Sequence, residues 1–297
     1  MTATPTNHSQ SRINPYVGPR AFRTGEALYG RDREVEELLD LLIAERIVLL
    51  YSPSGAGKTS LVQAALIPRL QEEDFFIHPP MRVNTELPVE LASNGRHTNR
   101  FVYSALLSIE EKLPPDLQTP LDDLARAHLL DYLLLRLWQI DPGEPKSEVL
   151  IFDQFEEIVT VDPTNEEDRV QFFTQLGQSL RDKNRWALFS MREDFIATLD
   201  PYVRYIPTRF GTTFRLDLLG AEAGRAAAQE PARRAGVNFD EAAARKLVND
   251  LRRVRIQRAD GAFEERPGPH IEPVQLQVVC YRMWDQLPPG AAAIGEA

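Results

Sequence analysis

The chain has 297 residues, with 44 acidic against 34 basic side chains for a formal net charge of −10, 43% hydrophobic residues, 16 Gly and 22 Pro. That charge excludes a polybasic protein that holds nucleic acid through bulk electrostatics, and the modest Gly and Pro content excludes low-complexity disorder, so the bulk of the chain folds into about two domains. A lone cysteine, Cys280, excludes an internal disulfide framework and fits a reducing compartment.

Residues 1–13 are polar and lack the apolar stretch of a secretion signal, so they read as a disordered leader. Pro15, Gly18 and Pro19 then punctuate an extended approach segment. From Arg31 the pattern is helical, with Val35, Leu38, Leu39 and Leu42 on one face. Asp32, Glu34, Glu36 and Glu37 load its first turns, where the helix dipole favours anions. Residues 47–51 are a short β-rich apolar run, of the kind buried on both faces of a parallel sheet. A Gly-rich turn over 52–59 follows, then a helix over 60–70 with Leu61, Val62, Ala65, Leu66 and Leu70 toward the core.

Pro79 and Pro80 push a strand over 75–83 to an edge or break it. Helices are expected over 100–113 and 121–139, the second apolar enough to be buried, followed by a strand over 148–153, a helix over 166–183 and a strand over 186–191. This alternation predicts an α/β fold with a parallel sheet flanked by helices. No segment reaches the roughly 20 apolar residues of a bilayer span, so a cytoplasmic protein with no membrane partner is expected. After Leu219 the composition shifts to Ala, Arg and Glu, with helices over 221–235 and 240–251 and Gly236 at a C-cap position. Alternation over 252–266 around Asp260-Gly261 signals a hairpin. The expected organisation is therefore a leader over 1–13, a core over 14–219 and a mostly helical module over 220–297.

The sharpest chemistry lies in Ser52-Pro53-Ser54-Gly55-Ala56-Gly57-Lys58-Thr59, set between the apolar strand and a helix. A nucleoside triphosphate needs backbone N–H groups converging on its oxygens, and glycines supply the dihedrals that allow it. The helix N-terminus, continuing into Ser60, adds its dipole; Lys58 is placed to reach the β and γ phosphates, and the Thr59 hydroxyl to take a Mg²⁺ position. Ser52 stands where the usual pattern has its first glycine. Such a loop calls for an acidic residue at the end of a second buried strand, and Val149-Leu150-Ile151-Phe152-Asp153 supplies it. Hydrolysis further needs a group that orients or deprotonates water. The position after Asp153 is Gln154, which leaves Glu156 and Glu157 as candidates and points to slow hydrolysis. Arg192, at the end of the strand over 186–191, is a candidate sensor of the γ-phosphate, or else the partner of Glu193 or Asp194.

These residues resemble a known family. Leu28-Tyr29-Gly30-Arg31-Asp32-Arg33-Glu34 is similar to the hhGRExE motif of the STAND class of signal-transduction ATPases, with Asp32 for the usual Glu. Together with Asn14-Pro15-Tyr16-Val17-Gly18-Pro19-Arg20, the loop and Asp153-Gln154-Phe155-Glu156-Glu157, it looks most like the bacterial novel STAND NTPase group. The resemblance implies a P-loop NTPase core followed by a helical lid and the start of a winged-helix-like segment near Glu272-Pro273-Val274. It implies ATP or ADP and Mg²⁺ as ligands, with Tyr29, Gly30 and Arg31 at the base and Pro231 as the lid proline that contacts the nucleotide. The spacing in the acidic turn is similar to that of NACHT ATPases and favours Glu156. The expected activity is a nucleotide-driven switch that self-associates with ATP, its effector and sensor domains or proteins lying outside this chain.

Three other readings share the loop: a kinase for a small molecule or nucleic acid, a DNA-binding ATPase of the origin-binding, winged-helix type, and a scaffold that binds nucleotide without hydrolysing it. For DNA the feature is Arg252, Arg253, Arg255 and Arg258, but on a hairpin they face opposite ways and Glu264 and Glu265 can neutralise them, so nucleic acid is disfavoured. His78, His97, His128, His270 and Cys280 show no zinc-ligand spacing.

Overall fold

A strand that is apolar on both faces is satisfied only inside a sheet covered on both sides, and Ile47–Ser52 (β1) occupies such a place. The computed structural model describes residues 12–92, 97–140, 147–257, 261 and 263–295. The leader over 1–13 thus lies almost wholly outside the described residues. β1 is joined by Phe76–Ile77 (β2), Glu148–Phe152 (β3), Arg185–Arg192 (β4) and Thr213–Arg215 (β5) in a five-stranded sheet of order β2-β3-β4-β1-β5. All pairings are parallel, with Leu50 opposite Ser190 and Ile151 opposite Leu188. β4 therefore separates the strand that feeds the Gly-rich loop from the strand that ends at Asp153.

The helices are Asp32–Glu45 (α1), Arg100–Glu110 (α3), Leu129–Ile140 (α4) and Glu166–Ser179 (α5), with α2 running from Lys58–Leu61 through a π-helical turn, Val62–Leu66, into Ile67–Glu72. The π turn was not expected for the helix after the loop. Its cause is local: Pro68 has no N–H to give the carbonyl four residues back, so the ladder shifts register ahead of it. The helix expected over 121–139 is broken. Leu121–Leu124 forms one turn, the chain tightens at Ala127, and Gln175 Oε1 accepts the Leu129 N–H at 2.9 Å where α4 begins. Nor is α4 buried all round: Leu129 and Leu133 are in the core while Leu134 and Leu135 are 51% and 62% exposed. β5 was not anticipated, because three residues reading Thr-Phe-Arg carry no periodicity.

By contact density the chain divides into two compact units. The first comprises residues 34–54 and 65–216. Its core joins β1, β3 and β4 to α3, α4 and α5 through Phe152, Phe155, Phe172 and Phe189, with Phe152 and Phe189 stacked at 5.1 Å between ring centres. At the amino end of its strands a buried ion cluster replaces apolar packing. Arg185 Nε donates to Glu148 Oε1 at 2.7 Å, Arg185 Nη1 to the Ser179 carbonyl at 2.8 Å, and His78 Nε2 lies 2.7 Å from Glu148 Oε2. Charges this deep persist only when paired in this manner.

The second unit comprises the described residues up to Arg33, 55–64 and those from Asp217 on. The sequence reading put one boundary near 219, whereas the structure also assigns the N-terminal segment and part of the loop to the C-terminal unit. The reason is packing: Tyr16 is buried in the same core as Ala228, Ala232, Val248, Cys280 and Trp284. Its elements are Leu219–Gly220 (β6), Ala221–Arg234 (α6), Asn238–Phe239 (β7), Glu241–Leu251 (α7), Arg253–Gln257 (β8), Phe263–Pro267 (β9), His270–Ile271 (β10), Pro273–Asp285 (α8) and Ala293–Ile294 (β11). β8 and β9 form the expected antiparallel hairpin, with Arg255 opposite Glu265; Arg258 and Asp260 lie outside the described residues. Gly236 has φ +77° and ends α6, and its N–H donates to Arg233 O at 3.0 Å. Burial pushes the Cys280 thiol up to about 12, as befits a core residue. Among the described residues no helix is long and apolar enough to cross a membrane.

α5 tolerates no side chain at Gly177, where an added Cβ would sit 1.9 Å from the Tyr205 carbonyl oxygen. Gly177→Ala is expected to lower the unfolding free energy by about 1–3 kcal/mol, read from the urea midpoint. An unchanged midpoint would show that this contact does not constrain the core.

Candidate functional site

β1 ends at Ser52, which is fully buried and donates its Oγ to the Pro53 carbonyl at 2.8 Å. Beyond it Gly55 and Gly57 have φ +79° and +94°, left-handed values that disfavour any residue with a Cβ. Space is not the constraint, since an added Cβ at Gly55 would meet nothing within 4 Å and at Gly57 only Pro273 Cγ at 4.0 Å. Pro53 and Ser54 precede the turn, and Ala56 inside it is buried. α2 opens at Lys58 with Gly57 as its N-cap, so the cap brings no side-chain acceptor to the first-turn N–H groups. Thr59 and Ser60 follow on the first turn, and Ser60 Oγ accepts the Phe22 N–H at 3.2 Å.

Tyr29, Gly30, Arg31 and Pro231 belong to the same unit as residues 55–64. The Arg234 guanidinium lies over the Tyr29 ring, 5.2 Å from its centre. Gly30 has φ +76°, and a Cβ there would sit 2.4 Å from the Ala223 carbonyl oxygen, so this glycine is demanded by conformation and by contact. Arg31 is only 5% exposed and donates Nη2 to the carbonyls of Ala56, at 3.0 Å, and Asp217, at 2.8 Å. Pro231 is buried in the interior of α6. One turn earlier, the Tyr16 hydroxyl donates to the Ala228 carbonyl, and burial drives the Tyr16 phenol above its ordinary value.

Asp153, Gln154, Glu156, Glu157 and Arg192 belong to the sheet unit, at the carboxyl ends of β3 and β4. Asp153 is 6% exposed; Ser190 donates Oγ to its Oδ1 at 3.2 Å, and its own N–H donates to Met81 O at 3.0 Å. Gln154 has φ +54°, which tips the chain into a tight turn. Arg82 holds that turn: Nη2 donates to Gln154 Oε1 at 2.7 Å and to Glu157 Oε1, and Nε donates to Glu157 Oε2 at 2.8 Å. Asn84 Nδ2 also donates to Glu157 Oε1, at 3.2 Å. The hydrogen bonds to Glu157, aided by the charges of Asp153 and Glu156, raise the Arg82 guanidinium above its ordinary value. Glu156 Oε2 accepts the Arg192 N–H at 3.2 Å, while the Arg192 side chain pairs with Asp194 at 2.6 Å and lies over Phe195. The two candidate acids are therefore distinguished, with Glu157 clasped on both oxygens by one guanidinium. Arg82 was missed in the sequence, since a single arginine after Pro79-Pro80 carries no motif.

The residues suit a phosphate and a hard cation. Two left-handed glycines ahead of a helix N-terminus form an anion cradle, and Asp153 offers a buried carboxylate. Among the described residues no group of three or more His, Cys, Asp or Glu converges to hold a metal by itself. A single buried carboxylate such as Asp153 is of the kind that serves Mg²⁺, which takes one or two carboxylates and fills its shell with phosphate oxygens and water.

The family described as Novel STAND NTPase 1 matches residues 15–265, and the chain belongs to it. A search of curated proteins finds no match. The fold is similar to that of a Walker-type ATPase of Pyrococcus abyssi, at TM-score 0.57 and 15% identity over 92% of this chain and 72% of that one. It is also similar to the ORC1 protein of Aeropyrum pernix in complex with DNA, at TM-score 0.51 and 12% identity over 87% of this chain and 60% of that one. At such identities the likeness establishes the fold, a P-loop ATPase sheet flanked by helices.

Removing the clasp on the acidic turn is expected to be felt in stability. Arg82→Ala should cost about 1–2 kcal/mol in urea denaturation, a value kept low because the pair is partly solvated. Combined with Glu157→Gln the two losses should be clearly less than additive; full additivity would mean that the pair is not coupled.

Proposed function

Taking that membership as premise, we propose that the chain is an ATP- and ADP-binding signal-transduction switch. It hydrolyses ATP slowly with Mg²⁺, changes conformation with the state of its nucleotide, and self-associates in the ATP state. The observation that supports the reading most is the passage from β1 through left-handed Gly55 and Gly57 into an α2 whose N-cap is glycine. In this reading the backbone from Pro53 through Ala56 to Gly57 faces the phosphates, with Ser60 on the first helical turn. Lys58 would neutralise the β and γ phosphates, and Thr59 and Asp153 are the residues that would hold Mg²⁺. Bound Mg²⁺ would supply neutralisation of the phosphate charge. Tyr29 and Gly30 serve the base, Pro231 the lid, and Arg192 the charge on the γ-phosphate.

Slow hydrolysis follows from the acidic turn. Gln154, next to Asp153, cannot accept a proton as a carboxylate does, and Glu157 already accepts hydrogen bonds on both oxygens. Glu156 is the remaining candidate to orient water, as the similarity to NACHT ATPases favours.

DNA binding is the second reading, favoured by the likeness to the archaeal ORC1 fold in its DNA complex. Among the described residues of the hairpin three cations are engaged, which weighs against it. Arg253 pairs with Asp250 at 3.0 Å and lies 3.7 Å from Glu265, Arg266 pairs with Glu264 at 2.9 Å, and Arg255 lies over the Phe263 ring. Duplex affinity that falls steeply with salt would favour the DNA reading instead.

Lys58→Ala is expected to weaken ATP and ADP binding by at least about tenfold in a direct titration, the scale of a lost charged hydrogen bond. Asp153→Asn should keep ADP affinity while Mg²⁺-dependent phosphate release falls. Unchanged affinities in the Lys58 variant would overturn the switch, and intact binding with no phosphate release in the unaltered protein would leave a scaffold.

A further inference from the structure

A guanidinium taken out of water is tolerated only where its donors find acceptors. Arg31, 5% exposed, finds backbone carbonyls: Nη2 donates to Ala56 O at 3.0 Å and to Asp217 O at 2.8 Å. Ala56 lies between the two left-handed glycines, so the first of these bonds acts on the Gly-rich loop itself.

The consequence follows from peptide geometry. No cis peptide occurs among the described residues, and in a trans peptide the carbonyl of one residue and the N–H of the next point in opposite directions across one plane. Turning the Ala56 carbonyl to Arg31 therefore turns the Gly57 N–H to the opposite side of the loop. That peptide needs a restraint of this sort, because a glycine pair populates left- and right-handed backbone with nearly equal ease. The same N-terminal segment is fastened further along α2, where the Phe22 N–H meets Ser60 Oγ at 3.2 Å and Thr24 Oγ1 donates to Gln63 O at 3.1 Å. Gly30, flat against Ala223, leaves Arg31 little latitude.

We infer that Arg31 is a positioning residue of the phosphate loop: it fixes the Ala56–Gly57 peptide so that the Gly57 N–H faces the anion, and it does not read the base. The inference rests on the nucleotide reading of the loop and departs from the base contact that family resemblance implies for this arginine. A loop preset by Arg31 binds any polyphosphate better, whatever base is attached.

The test compares ATP, GTP and inorganic tripolyphosphate in titrations of the unaltered protein, Arg31→Ala, Arg31→Lys and Tyr29→Ala. Arg31→Ala is expected to weaken ATP and tripolyphosphate by a common factor of roughly ten to a hundred, with the ratio of ATP to GTP affinity unchanged. Arg31→Lys, which keeps a buried cation and can reach one carbonyl, should lose less. Tyr29→Ala should weaken ATP and spare tripolyphosphate. Loss of ATP with tripolyphosphate retained, or a changed ATP-to-GTP ratio, in the Arg31 variants would overturn the inference. Should Arg31→Ala fail to fold, Arg31→Lys decides through amide exchange measured at saturating tripolyphosphate, where the Gly57 N–H has the anion as its acceptor. Faster exchange of the Gly57 amide with other amides unmoved supports positioning, and a uniform rise across the chain overturns it. If the unaltered protein binds neither ATP nor tripolyphosphate, the nucleotide reading itself falls, a result distinct from either outcome for the variants.

Discussion

A parallel strand buried on both faces can place polar groups only where it leaves the sheet. β1, β3 and β4 obey this constraint together: residues 47–50, 149–152 and 187–189 are buried and apolar, and the polar groups Ser52, Asp153, Ser190 and Arg192 gather toward the carboxyl ends. Binding chemistry in α/β sheets collects at that edge for this reason. The insertion of β4 between β1 and β3 gives Asp153 a neighbour, Ser190, that holds its carboxylate from the side.

Crowding carboxylates at one strand end has an electrostatic cost that the chain meets locally. With a net charge of −10, nothing in the overall balance offsets Asp153, Glu156 and Glu157 within five residues. Arg82 does so, and it ties the turn in the same step, because its planar fork reaches both oxygens of Glu157 and the amide oxygen of Gln154. A lysine would supply the charge but not the fork. This division of labour also explains why two adjacent glutamates are not equivalent: one braces the turn that presents the other.

Strong periodicity and motif spacing made much of the fold legible in the sequence. Residues 47–51 and 149–152 are apolar runs without alternation, and Gly55, Gly57 and Lys58 interrupt a strand-to-helix passage, so a P-loop sheet could be read from them directly. Features that depend on a residue's partner were not legible. The π turn in α2 depends on Pro68 within a pattern that otherwise reads as plain helix, and the break before α4 depends on Gln175, which lies 46 residues away. That the segment around Tyr16 joins the C-terminal unit was not legible, because punctuation by Pro15, Gly18 and Pro19 marks an extended segment and not its partner; Tyr16 is a core residue beside Trp284.

The same limit governs the site. A motif reports which residue types recur at a spacing, but it does not report which way a side chain turns. Tyr29-Gly30-Arg31 carries the family signature, and from type alone an arginine there is as ready to meet a base as a backbone. Burial is what bears on the choice: Arg31 is 5% exposed, and its Nη2 donates to two backbone carbonyls. Arg82 gives the converse case, an arginine with no signature whose position among three carboxylates sets the geometry of an acidic turn. Arg82 ties its turn through the fork of the guanidinium, and Arg31 ties backbone carbonyls through one nitrogen. Preorganisation of this kind raises affinity by lowering the cost of ordering a loop at the moment of binding, which in the proposed reading lets an acidic chain hold a polyanion at one short, glycine-rich turn.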